Sequence, residues 1–83
     1  MNEAVDSVKM HIRDYILEAI NIADLDDDDN LFTSGIVNSL FAVQLISFLE
    51  KTFHIEVTSE DLEMENFKSI SAAASFVMRK QSQ

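Results

Sequence analysis

Apolar residues along this chain recur at three- and four-residue intervals, the spacing that puts them on one buried face of an α-helix. The first such stripe, Val5, Val8, Ile12, Tyr15, Ile16, Ala19 and Ile20, predicts a helix from about Asn2 to Ile20. A second, Ala42, Leu45, Ile46, Leu49 and Phe53, predicts a helix from Ser39 to Phe53. Stepping by about 100° per residue turns Leu40, Val43 and Ser47 of that helix away from the core and leaves Phe41 and Phe48 near the edge of its buried face. Ile70, Ala73, Ala74 and Val77 form the stripe of a last helix with Ser69 as its N-cap. Met78 to Gln83 lies past the stripe and is expected to fray.

The intervening segments read differently. Residues 21–38 form a long loop that opens with acidic residues, yet its Leu31, Phe32, Ile36 and Val37 are too apolar to leave the core and are expected to pack across the bundle. His54-Ile55-Glu56-Val57 reads as an extended connector. Thr58 or Ser59 followed by Glu60, Asp61 and Leu62 is a capping signal for a short third helix of one or two turns, with acidic residues suitably placed in its first turn. One Gly and no Pro in 83 residues leave few sharp turns. The expected fold is all-α: four helices in a bundle, with a long loop between the first two and a short third. No repeat, linker or low-complexity tract divides residues 1–83, which read as a single domain.

At this length one core is marginal but feasible without staples, and there is little room for a deep catalytic cleft. The absence of Cys excludes disulfides, thiolate metal sites and Cys nucleophiles. Fifteen Asp and Glu against six Lys and Arg give a net charge of −9, which repels nucleic acid and anionic membranes and favours basic protein partners. The amino-terminal Met1-Asn2-Glu3-Ala4-Val5-Asp6 has no basic stretch followed by an apolar run, and no segment approaches about 18 apolar residues. The chain reads as a cytoplasmic monomer.

Candidate chemistry centres on Gly35-Ile36-Val37-Asn38-Ser39-Leu40, where a loop ends and an amphipathic helix begins. Asn38 and Ser39 are both good N-cap types, so the plain reading of the pair is a helix cap. The second reading is a covalent attachment point. A serine at a helix head is exposed and held in place, and the free N–H groups and positive dipole end there favour an attached phosphate. Leu40 and Val43 beside Ser39 would then form an apolar docking patch.

The other constellations are weaker. Asp26 to Asp29 with Asn30 offers oxygens at the spacing of a calcium loop, but Leu31 stands where that loop needs Gly and Val37 where it needs Glu, so a solvated acidic loop is expected. His11 and His54 are the two imidazoles, in different segments and without a second His at metal-ligand spacing, so no metal site is expected. A serine hydrolase would need an oxyanion hole, normally framed by Gly-rich backbone, and no catalytic residue is assigned.

These residues resemble the acyl carrier protein family. The likeness runs through Asp29-Asn30-Leu31-Phe32, Asn38-Ser39-Leu40, Val43-Gln44-Leu45, Glu50-Lys51-Thr52-Phe53, Ile55-Glu56-Val57 and Phe67, nearly the whole chain. It implies a four-helix bundle whose Ser39 carries 4′-phosphopantetheine, derived from coenzyme A, with Asn38 capping the helix beside it. It also implies a thiol arm that holds an acyl group as a thioester, and as partners a phosphopantetheinyl transferase and the acyl-loading enzyme, dehydrogenases or acyltransferase of a pathway. Leu40, Phe41, Val43 and Ser47 are the candidate partner-binding residues. Two departures matter. Asn38 stands where the family usually has Asp, and helix two is poor in acid, with Phe41 where fatty-acid carriers often have Asp and Glu50 as its one carboxylate. Partners that read helix two by charge alone should bind it poorly. The two residues Val37 and Asn38 between Ile36 and Ser39 look like the freestanding D-alanyl carriers and the freestanding carriers of unusual malonyl extender units, and the run Asn38 to Leu45 followed by Glu50 to Phe53 looks most like the latter, the alkoxymalonyl or hydroxymalonyl carriers of polyketide and hybrid polyketide-peptide pathways. D-alanyl and fatty-acid carriers are the alternatives within the family, and a non-acylated helical interaction module is the alternative outside it.

Overall fold

The computed structural model describes residues 3–20, 25–32 and 39–82. Its helices are α1 (Glu3–Ile20), α2 (Ser39–Phe53), α3 (Met64–Phe67) and α4 (Ile70–Gln81), with a 3₁₀ turn at Ser59–Asp61 before α3. The described residues contain no strand.

The hydrophobic periodicity of α4 explains its central place. Ile70, Ala73, Ala74, Phe76 and Val77 are all buried, and Ser69 caps the helix by accepting from the Ala72 N–H at 3.0 Å. The two alanines let α1 approach closely through Val8, Ile12 and Ile16, while Phe76 meets Phe67 of α3 edge to face at 5.1 Å. Each of the larger side chains contributes about 1.5–3 kcal/mol by leaving water. Past the apolar stripe the helix runs on to Gln81, where fraying was expected from Met78 onward; Gln83 lies outside the described residues. It continues to Gln81 because its polar end is engaged: Lys80 pairs with Asp61 at 2.7 Å, Arg79 donates to Asn66 and lies over the Phe76 ring, and the Gln81 amide reaches the Phe53 carbonyl.

The loop after α1 is strapped to the start of α4. Leu31 donates its N–H to the Lys68 carbonyl at 2.7 Å, and Ser71 donates to the Asp27 carbonyl at 2.9 Å. Leu25 and Leu31 enter the core, and Phe32 packs against it half-buried. The expected packing across the bundle therefore holds for Leu31 and Phe32; Ile36 and Val37 lie outside the described residues. The aspartate run is a folded turn. Asp29 Oδ2 accepts from the Asp26 N–H, and Asp27 is paired with Arg13 and Lys9 of α1.

α2 begins at Ser39 and ends at Phe53 as its periodicity predicts, but its buried face is rotated from the expected stripe. Phe41, Leu45 and Leu49 face the core, whereas Ala42, Ile46 and Phe53 are half-buried. Phe41 is the main correction. Expected at the edge of an exposed patch, it is 8% exposed and stacks on Tyr15 at 5.8 Å. The cause is aromatic: Tyr15 also stacks on Phe48 at 4.2 Å, so α1 and α2 meet through rings that turn α2 toward its Phe41 side. His54 ends the helix in the left-handed region at φ 56°, a C-cap conformation in which Gly is the usual residue.

The predicted third helix is two pieces. The capping signal gives only the 3₁₀ turn, in which Asp61 Oδ2 accepts from both the N–H and the hydroxyl of Thr58, and α3 starts afresh at Met64. Lys80, as hydrogen-bond donor, and the Thr58 N–H hold the Asp61 carboxyl down at about 2, against 3.8 for a free one.

Two predictions follow from this packing. Phe41→Asp would place an unpartnered carboxylate between α1 and α2 and should cost at least about 3 kcal/mol in urea unfolding, while Val43→Asp on the exposed side should change stability by no more than about 0.5 kcal/mol. Equal effects would return Phe41 to the surface. A lowered folded-state pKa stabilises the fold above 3.8, and that contribution disappears as pH falls through 3.8 toward about 2. The gap in urea midpoint between wild type and Asp61→Asn should accordingly be present at pH 6 and close between those values; a gap of the same size at both ends would refute the Asp61 clamp.

Candidate functional site

The candidate site is the outward side of α2 with the hollows on its two flanks. Ser39 is the first residue of the helix, as the sequence predicts. Its side chain and all of Asn38 lie outside the described residues. Leu40 and Val43 are 68% and 64% exposed, so the expected apolar ridge beside Ser39 is present. Ser47 continues this face half-buried, and Phe41 leaves it for the core.

The α2 backbone suits an attached phosphate. No acidic residue occupies its first turn, so an anion at the helix head meets the positive dipole end without an opposing carboxylate from that turn. The 15-residue length gives that dipole its full development. These observations fit the phosphodiester end of a phosphopantetheine arm.

Charge along α2 is sparse and one-sided. Glu50 accepts the Val57 N–H at 2.9 Å and so serves the connector after the helix. Lys51 is the basic residue of the last turn and is exposed. A partner lying along this face meets apolar surface first, then one positive charge.

On one flank, a cleft of about 260 Å³ opens between α2 and the segment leading into α3. Phe32, Ala42, Ile46, Leu62, Met64 and Phe67 line it, with the carboxylate of Glu63 as its charged member. The far wall is held at both ends, by Asp61 on Lys80 and by Asn66, which donates to the Asp61 carbonyl and accepts from Arg79. Between these ties Leu62 and Met64 stay exposed. On the other flank, a groove of about 330 Å³ runs between α1 and α2, lined by Tyr15, Gln44, Ser47, Phe48 and Lys51.

Sequence reasoning did not find the cleft or the groove. Ala42 and Ile46 were legible as apolar positions of the helical stripe, but whether another segment covers such positions depends on the tertiary path of residues 62–67. Glu63 and Lys51 carry no local signal that separates them from solvated charges. Among the other candidates, His11 donates from Nδ1 to the Ser7 carbonyl at 2.7 Å and sits edge-on to Phe53, which fixes the ring structurally. No group of three or more His, Asp or Glu is gathered as a metal site among the described residues, and no helix among them is long and apolar enough to cross a membrane.

Comparison with curated proteins finds no match. Among family models, that of the phosphopantetheine attachment site matches residues 11–77, a span that begins in α1, includes all of α2 and α3 and ends in α4.

Proposed function

Because the chain belongs to the phosphopantetheine attachment family, whose domains hold a covalent 4′-phosphopantetheine and carry acyl groups for enzymes, we propose that Ser39 is the attachment residue. Domains of this family are not themselves catalytic. The position of Ser39 at the head of α2, with an acid-free first turn and an exposed Leu40 and Val43 beside it, is the observation that carries the assignment. When bound, the arm supplies a thiol that holds the acyl group as a thioester.

The chain's own residues do the rest. The positive end of the α2 dipole offsets the phosphodiester charge, and we assign to Asn38, an N-cap residue type directly before Ser39, the role of helix cap. Leu40, Val43 and Ser47 form the face on which a phosphopantetheinyl transferase and the acyl-loading enzyme dock, by apolar contact more than by charge. Phe41 supports this face from beneath. We read the cargo as a malonyl-type extender unit of polyketide or hybrid polyketide-peptide assembly, on the likeness of Asn38 to Leu45 and Glu50 to Phe53, and the protein as a cytoplasmic monomer of one domain.

Incubation with coenzyme A and a broad-specificity phosphopantetheinyl transferase tests the assignment. Intact mass should show one pantetheinyl increment on the wild type and none on Ser39→Ala, with both proteins sharing the same helical circular dichroism. An increment that persists in Ser39→Ala would move the attachment elsewhere; a wild type that never gains one would remove the carrier function.

A further inference from the structure

We propose that the groove between α1 and α2 binds the carboxylate of an acidic acyl group tethered at Ser39, with Lys51 as its cation. The proposal rests on attachment at Ser39 and goes beyond it to the place where an acidic cargo is held and the residue that holds it.

The first support is the state of the cations. Six Lys and Arg face fifteen Asp and Glu in this chain, so an unengaged cation is unexpected. Lys9 and Arg13 pair with Asp27, Lys68 with Glu65 and Lys80 with Asp61. Arg79 donates to Asn66 and covers the Phe76 ring. Lys51 forms no ion pair among the described residues, and it stands at the edge of a groove whose lining contains no carboxylate.

The second support is the contrast between the two flanks of α2. The groove adds the Ser47 hydroxyl and the Gln44 amide to the Lys51 ammonium, beside the rings of Phe48 and Tyr15, whose hydroxyl is donated to the Gln44 carbonyl. The Ser47, Gln44 and Lys51 groups can donate to a carboxylate and to the carbonyl of an acyl chain. The opposite cleft is apolar and has Glu63 as its charged member. An anionic acyl group is repelled there and attracted to the groove, while a neutral apolar one has no such preference for Lys51.

Reach allows it. Helical rise places Ser47 about 12 Å and Lys51 about 18 Å along the axis from Ser39. Side chains on a helix lean toward its N-terminus, and the four-carbon stem of Lys51 is long enough to bring its ammonium back toward Ser47, with which it lines the groove. A pantetheine arm has about as many chain bonds as five residues of backbone and extends about 16 Å. The end of such an arm and the ammonium therefore share one region of the helix surface.

The test compares two cargoes of similar size, malonyl and butyryl, each amide-linked to pantetheine and transferred to the ¹⁵N-labelled chain. Intact mass first establishes loading; failure to load overturns the Ser39 assignment on which this proposal stands. In loaded protein, malonyl should shift the amide resonances of Tyr15, Ser47 and Lys51, and butyryl should not. Lys51→Gln should lower the groove-bound population about 2- to 5-fold, the weight of one exposed ion pair, and Lys51→Arg should retain it. Malonyl shifts that are unchanged in Lys51→Gln, that butyryl reproduces, or that fall on Phe32 and Met64 instead would overturn the groove while leaving the carrier function intact.

Discussion

The arrangement of this molecule depends on the buried face of α4. Ile70, Ala73, Ala74, Phe76 and Val77 admit α1 at close range over the alanines and anchor α3 through the Phe67 and Phe76 rings. The residues just before and after the cap of this helix also hold the loop, by the Leu31 to Lys68 and Ser71 to Asp27 backbone bonds. With α1, α3 and the loop fixed to one helix, α2 reaches the core by longer side chains, Phe41, Leu45 and Leu49, and meets α1 through stacked rings. A helix held at that distance leaves a hollow on each flank and its outward ridge free. That form suits a carrier, because among the described residues no helix lies over the outward ridge of α2.

Electrostatics then separates the surfaces of an acidic chain. The fold engages most of its cations internally, at Asp27, Glu65 and Asp61, which ties the loop to α1, stitches residues 65–68 and clamps the wall of the apolar cleft. Glu50 is turned to the Val57 N–H. What remains on the outward side of α2 is Leu40, Val43, Ser47 and Lys51, a face unlike the negative surface expected from the net charge of −9. Such a face offers a partner shape and apolar contact in place of a negative field.

Much of this was legible in the sequence where a local rule was decisive. The limits of α2, the Ser69 cap and the buried Ile70, Ala73, Ala74 and Val77 follow from helical spacing and capping chemistry alone. The rotation of α2 did not, because Phe41 and Phe48 lie together at one edge of the stripe and only the Tyr15 ring of another helix, stacked on both, draws that edge inward. Leu25 is one apolar residue before an acidic run, and its burial depends on a loop path set by backbone bonds to α4. The ordered end of α4 depends on Asp61 and Asn66, more than a dozen residues away in sequence. At the site, the serine and the exposed Leu40 and Val43 were readable from position and periodicity, whereas the groove and the cleft arise from surfaces that only the assembled helices create.

The central claim is that the head of α2 is the attachment point, and locating the arm on the unmutated chain tests it most directly. Proteolysis of the pantetheinylated protein followed by fragment-ion sequencing should place the modification on Ser39 alone. Modification found on Ser34, Ser47 or any other residue would contradict the account, whatever the total mass showed.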